Sequence, residues 1–211
     1  MKISRYLTGP IQVNTYVAYD EETMAGFMVD PGGYVSAITD QIKKDGINLQ
    51  YIILTHGHGD HIGGVAGYRR DFPAVKVVAH RDERELLMDG NLNGSAEMFG
   101  RPVAVDADLW VGNRESLRVG NININMTFFH TPGHTKGGMC IYIPGTPGYC
   151  FSGDTIFRYS IGRTDFYGGD FRILINSIKD VVFQLPDDTV LLPGHMDAST
   201  VGDEKRGNPF V

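Results

Sequence analysis

Thr55-His56-Gly57-His58-Gly59-Asp60-His61 follows directly on the apolar run Tyr51-Ile52-Ile53-Leu54. That run is short, continuous and carries β-branched residues, which reads as a buried strand of a layered α/β domain. The polar cluster then sits where the strand leaves its sheet. In extended backbone, side chains two apart share a face, so His56 and His58 can approach one metal ion together. Asp60 and His61 come as the chain turns into Ile62–Arg70, which reads as a helix. They do not share the direction of the first pair, so a second ion beside the first is the natural reading. Imidazole and carboxylate suit zinc, with iron and manganese as alternatives. A single histidine at a strand end usually packs or caps. Three histidines and an aspartate separated only by glycines rarely serve packing, and glycine lets the loop wrap tightly.

A chain of 211 residues has room for one well-buried domain, taken as 1–211, and is short for two. A net charge of −6 argues against a general nucleic-acid binder, which needs a basic face. No apolar run approaches the ~20 residues of a membrane span. The start, Met1-Lys2-Ile3-Ser4-Arg5, lacks the apolar core of an export signal, so a cytoplasmic protein is expected. Cys140 and Cys150 flank a hairpin turn at Pro144–Pro147. Pairing Ile143 with Gly148 would put Cys140 opposite Phe151 and turn Cys150 to the other face, leaving two buried free thiols.

Around the cluster the chain reads as strands and helices in two similar halves. Strands are expected around Val13–Val17 and Phe27–Val29, the latter running into the turn Asp30-Pro31-Gly32-Gly33. Asp30 is either a turn-stabilising side chain or a group supporting the metal loop. Val35, Ile38 and Ile42 predict a helix ended by Gly46. Lys76–Ala79 reads as a strand and Arg81–Met88 as a short helix, with His80 capping or on the surface. Residues 88–102 form a long loop anchored by Met98 and Phe99, either a lid or a surface excursion. Leu117–Val119 and Ile122–Phe129 read as strands, with His130 an ordinary strand-end residue. His134 lies at a loop tip in Thr131-Pro132-Gly133-His134-Thr135. The hairpin Met139–Ile143 and Tyr149–Ser152 delivers Asp154, a carboxylate placed to bridge two ions. Asp170 caps a helix that carries Phe171, Leu174, Ile175, Ile178, Val181, Val182 and Leu185 and stops at Pro186. A strand Thr189–Leu192 leads to Pro193-Gly194-His195, and the chain ends in a short capped helix and tail.

His56-x-His58-x-Asp60-His61, followed in order by His134, Asp154 and His195, resembles the metallo-β-lactamase fold superfamily over essentially the whole chain. The resemblance implies a single-domain α+β fold, a four-layered αββα sandwich with the metal loops of both halves meeting at one edge. It implies that His56, His58 and His134 bind one divalent ion, that Asp60, His61 and His195 bind the other, and that Asp154 bridges. It favours the supporting role for Asp30.

A finer resemblance, to short bacterial glyoxalase II-like hydrolases, rests on several stretches. They are Ser152-Gly153-Asp154-Thr155, Gly162-Arg163-Thr164-Asp165-Phe166, Leu192-Pro193-Gly194-His195 and Asn208-Pro209-Phe210. It implies hydrolysis of a small-molecule thioester such as S-lactoylglutathione by a hydroxide held between the ions, with Asp60 orienting the nucleophile as well as binding. A thiolate leaving group, with a pKa near ~8.5, needs little help from a general acid, and the motifs offer no separate one. The helical C-terminal domain of full-length glyoxalase II is missing, and Asp165 stands where those enzymes offer a tyrosine. Arg163 either contacts substrate or pairs with Asp165. Two rivals stand beside this reading: a persulfide dioxygenase with one iron, which shares the Gly-Arg-Thr-Asp-Phe stretch, and a non-catalytic metal-binding protein. Neither nucleic acid nor membrane is an expected partner.

Overall fold

In the computed structural model, which describes residues 1–120 and 124–211, two six-stranded sheets lie face to face. The first is built from β1 (Lys2–Thr8), β2 (Val13–Tyr19), β3 (Ala25–Val29), β4 (Asn48–Ile53), β5 (Lys76–His80) and β6 (Leu109–Val111), in that spatial order. β3, β4, β5 and β6 run parallel, and helices make the crossovers. These are α1 (Ser36–Lys44), then α2 (Gly59–Ile62) with α3 (Val65–Asp71), then α4 (Arg84–Met88) and α5 (Ser95–Phe99). The second sheet contains β7 (Ser116–Val119), β8 (Ile124–His130), β9 (Met139–Ile143), β10 (Tyr149–Gly153), β13 (Val190–Pro193) and β14 (Ser199–Thr200). A small hairpin, β11 (Ile156–Phe157) and β12 (Ser160–Ile161), lies apart from both, and α6 (Phe171–Asp180) and α7 (Val201–Gly207) complete the chain.

Period-two alternation builds the layers. Phe27, Val29 and Ile53 face inward onto Phe128, Ile141 and Phe151 of the second sheet. Their neighbours Met28 and Ile52 face outward onto Ile38 and Ile42 of α1 and Val65 and Tyr68 of α3. On the far side, Cys140, Cys150 and Leu191 pack beneath Leu174 and Ile178 of α6. The result is the expected αββα sandwich. Between the sheets the Phe151 ring meets Phe27 edge-on at 5.7 Å and Tyr16 at 5.3 Å. Among the described residues no helix is long and apolar enough to cross a membrane.

Several local expectations change. The helix expected at Ile62–Arg70 is two, α2 and α3, because Gly63 and Gly64 press against the backbone of Gly32, Gly33 and Pro31. Asp60 and His61 therefore ride on a helical turn instead of a loop. The α6 helix ends at Asp180 and a 3-10 turn, Val182–Gln184, carries the chain to Leu185. Asp170 caps it as expected, its carboxylate accepting from the Ile173 N–H at 3.0 Å. The start of the strand expected at Ile122 lies outside the described residues, and β6 was not anticipated.

The cysteine register is corrected by one residue. Ile143 pairs with Tyr149 and Tyr142 with Cys150. A slip of one moves every side chain to the other face, so Cys140 and Cys150 share the face beneath α6. Both are buried and free. The stretch between β9 and β10 runs through Gly148, one residue longer than the turn composition suggested.

Candidate metal centre

The motif residues converge because β4 ends at Ile53 and the short link 54–58, which carries His56 and His58, leads into α2, which carries Asp60 and His61. His56 Nε2 lies 3.3 Å from His134 Nε2, and His58 Nδ1 lies 2.9 Å from the same atom. Beside this group, Asp60 Oδ2 is 3.5 Å from His61 Nε2 and 3.1 Å from His195 Nε2. Asp154, at the end of β10, stands between them. Its Oδ1 is 3.4 Å from His61 Nε2, and its Oδ2 is 3.6 Å from His134 Nε2 and 3.8 Å from His195 Nε2. All seven residues proposed from the sequence are brought together, six of them in the two groups of three that the resemblance implied, with Asp154 between.

Outer contacts fix which nitrogen faces inward. Asp30 accepts from the Thr55 N–H at 2.8 Å, from the Thr55 hydroxyl at 2.6 Å and from His61 Nδ1 at 2.9 Å. His61 thus turns its Nε2 lone pair inward. The Thr55 hydroxyl, having donated to Asp30, accepts from His56 Nδ1 at 3.1 Å, and the Arg163 carbonyl accepts from His134 Nδ1 at 2.6 Å. Imidazole lone pairs so arranged repel unless a cation lies between them. His61 Nε2 and Asp154 Oδ1 are buried without hydrogen-bond partners, a donor pair that a cation would satisfy.

The electrostatics agree. Burial, helped by neighbouring imidazoles, holds His56 far below the usual histidine range and pushes His58 down to about 3, so both are neutral and free to ligate. Burial also lowers His134, against the pull of Asp154. His61 goes the other way. Burial opposes its charge, but Asp60, Asp154 and Asp30 outweigh burial and raise it well above the usual range. Burial likewise works against ionised Asp60 and Asp154, yet the surrounding imidazoles keep both carboxyls below their ordinary values. Positive charge is demanded at this point, and a divalent ion would supply it.

Glycines set the close approach. A Cβ on Gly162 would overlap the Asp154 carbonyl, and one on Gly32 would overlap the Asp60 carbonyl. A Cβ on Gly194 would strike the Asp154 carboxylate itself. The sequence showed these only as turn composition.

The centre floors a cleft of about 410 Å³ whose walls are Ile11, Leu92, Met98, Phe157 and Phe166, with Arg163 at the side. The segment 88–102, expected as a loop, carries the short helix α5 and forms one wall. Its expected apolar anchors, Met98 and Phe99, are half-buried, with the Phe99 ring against Gly63, and Asn93 and Ser95 are buried beside them. A Cβ on Gly59 would meet Ser95 Cα at 2.8 Å, so the loop packs directly on the start of α2. Arg163 reaches the cleft, and it also grips Asp165 with two bonds of 3.0 and 2.7 Å and lies 4.1 Å over the Phe166 ring.

His80, Asp82 and His130 also gather, yet they suit an ion poorly. The two rings stack at 4.1 Å with planes only 10° apart, and an ion must lie near the plane of each ring it binds. As expected, His80 caps a turn, its Nδ1 accepting from the Asp82 N–H. Burial, then the stacked His130, pushes His80 down to about 4. A depressed folded pKa means stability present at neutral pH and lost as pH falls from the unfolded value toward 4. We expect this histidine alone to cost about 2 kcal/mol between pH 7 and pH 5. Urea unfolding of metal-loaded His80→Asn, which keeps the capping acceptor, should show that much less acid sensitivity than the parent chain.

Comparison with known proteins places the chain. The model of the metallo-β-lactamase superfamily matches residues 8–195, and the chain belongs to that superfamily, a class of metallo-hydrolases. It is 36% identical over 212 residues to a probable metallo-hydrolase, YqgX, of Bacillus subtilis, covering 100% of this chain and 98% of the relative. It is 35% identical over 203 residues to the hydroxyacylglutathione hydrolase GloC of Haemophilus influenzae, covering 95% and 93%. Among solved structures, the BLEG-1 B3 metallo-β-lactamase superposes with a TM-score of 0.91 at 38% identity, covering 99% of each chain.

Proposed function

We propose that this protein is a two-metal hydrolase that cleaves a small-molecule thioester, of the S-lactoylglutathione type. The observation that carries the reading is the convergence of two ligand triads on one carboxylate, Asp154. His56, His58 and His134 would hold one ion, Asp60, His61 and His195 the other, and Asp154 both. When bound, a pair of divalent ions, zinc by donor chemistry with iron or manganese also suited, supplies acidified water and electrophilic polarisation of a carbonyl.

The chain's own residues do the rest. Asp60 lines the cleft and orients the attacking water through its carboxylate oxygens. Asp30 and Thr55 keep His61 and His56 turned inward. Leu92, Met98, Phe157 and Phe166 seat the acyl and thiol portions and exclude bulk water. Among the described residues of the cleft, the only ionisable group outside the ligand set is Arg163. An arginine does not deliver a proton to a poor leaving group, and this favours a thiolate over an amine as the departing group. Arg163 is the group placed to meet an anionic substrate, once Asp165 lets go.

The test is the metal content of freshly purified protein together with turnover of S-lactoylglutathione, simple thioesters, the matching oxygen esters and a β-lactam. We expect two ions per chain and a clear preference for thioesters. One iron per chain with oxygen uptake on glutathione persulfide would overturn the reading in favour of an oxygenase. Failure to turn over any substrate in the metal-loaded state would favour a non-catalytic role.

A further inference from the structure

Glu83 belongs to neither ligand loop, yet it holds both. It lies at the end of the 3-10 turn Arg81–Glu83 and is 1% exposed. Its Oε1 accepts from the Gly57 N–H at 2.8 Å, and its Oε2 accepts from the Gly137 N–H at 2.6 Å. Gly57 sits between His56 and His58 in the first half of the chain. Gly137 follows His134 by three residues in the second. One buried carboxylate thus spans the two loops that must meet for three imidazoles to converge. The fit is tight on both sides. A Cβ on Gly57 would meet Leu87 Cγ at 3.1 Å, and one on Gly137 would overlap the Glu83 backbone nitrogen.

The other triad has different supports. Asp30 holds His61. The Asn14 N–H donates to the Gly194 carbonyl at 2.7 Å, and the Asn14 side-chain amide donates to the Pro193 carbonyl at 3.0 Å, which places His195. None of these contacts passes through Glu83.

We infer that Glu83 is a positioning residue that clamps the His56–His58 loop to the His134–Gly137 loop and so preforms the three-imidazole half of the centre, selectively over the Asp60–His61–His195 half. The inference rests on the two-ion reading above. Its chemistry is specific to a carboxylate, because only a carboxylate offers an acceptor oxygen to each of two opposed N–H groups. A glutamine keeps one acceptor and sets an NH₂ against the other amide, leaving a buried donor unpaired.

The experiment is a cobalt(II) titration of metal-free protein followed by visible absorption, on the parent chain, Glu83→Gln and Glu83→Asp. The parent should take two ions. Both variants should keep one tight site and lose at least tenfold in affinity for the other. Ile178→Val, a core change on the buried face of α6 and outside the ligand loops, should keep both sites. Hydrogen exchange on the metal-free proteins gives a second readout. The Gly57 and Gly137 amides should be slow and open together in the parent chain and exchange at least tenfold faster in Glu83→Gln, while the Thr55 amide held by Asp30 stays slow. Parent-like cobalt binding in the variants, equal weakening of both sites, or unchanged exchange at Gly57 would overturn the clamp. If the parent itself takes a single ion, the two-ion reading fails, and amide exchange alone decides the clamp.

Discussion

Replacing Asp154 with alanine should lower kcat/KM for any thioester substrate on the order of a thousandfold or more, about 4 kcal/mol of transition-state stabilisation. Asp154 reaches histidines from both triads and lines the cleft beside them. Its two oxygens lie 3.4 to 3.8 Å from His61, His134 and His195. Without it each triad keeps three donors, but nothing ties the two positions together. Metal analysis should therefore show the count per chain falling below two, in step with activity. Asp154→Asn is the informative companion, because it keeps the volume and removes the charge. An asparagine variant with parent-like metal content and rate would show that Asp154 is not a shared ligand and would sink the two-metal mechanism.

A second large effect is expected from a single methyl group. In Gly194→Ala the added carbon would overlap the Asp154 carboxylate and stand 2.5 Å from His61 Cε1 and 3.3 Å from His61 Nε2. Relief cannot come from swinging a surface side chain aside, because the atoms to be displaced are the ligands themselves. We expect kcat/KM to fall roughly a hundredfold or more. Thermal stability of the metal-free chain should drop by only about 1 to 3 kcal/mol, the usual cost of overpacking. Denaturant unfolding paired with kinetics separates the two quantities. Equal activity in the alanine variant would overturn the close approach of Gly194 to the ligands.

The centre was far more legible in the sequence than its supports. His56, His58, Asp60 and His61 announce themselves by density, because four ligand-type groups around glycine have few other uses. His134, Asp154 and His195 each sit alone, and only the run of turn residues about them, with the resemblance in motif order, marked them. Glu83 carried no comparable signal. It lies in Arg81-Asp82-Glu83-Arg84-Glu85, a run of mixed charges that reads as a solvated helix start. Its burial depends on two glycines 26 and 54 residues away. The glycine envelope was hidden for the same reason, since a glycine in a turn looks alike whether it serves the backbone or clears space for a ligand. The sandwich was implied by the resemblance and matched the two-halves layout of strands and helices, whereas the cysteine register hinged on one residue of turn length, which composition does not settle.

Both triads take members from the two halves of the polypeptide. His134 joins His56 across 78 positions, and His195 joins Asp60 across 135. Ribosomal synthesis delivers these members in sequence, and domains emerge N-terminal end first. The nascent chain can gather an incomplete set of donors early, but neither position closes until material from the far half has folded back. On the two-ion reading, full loading would be a late event in the life of each molecule, and captured ions would act as rivets between halves that were made at different times.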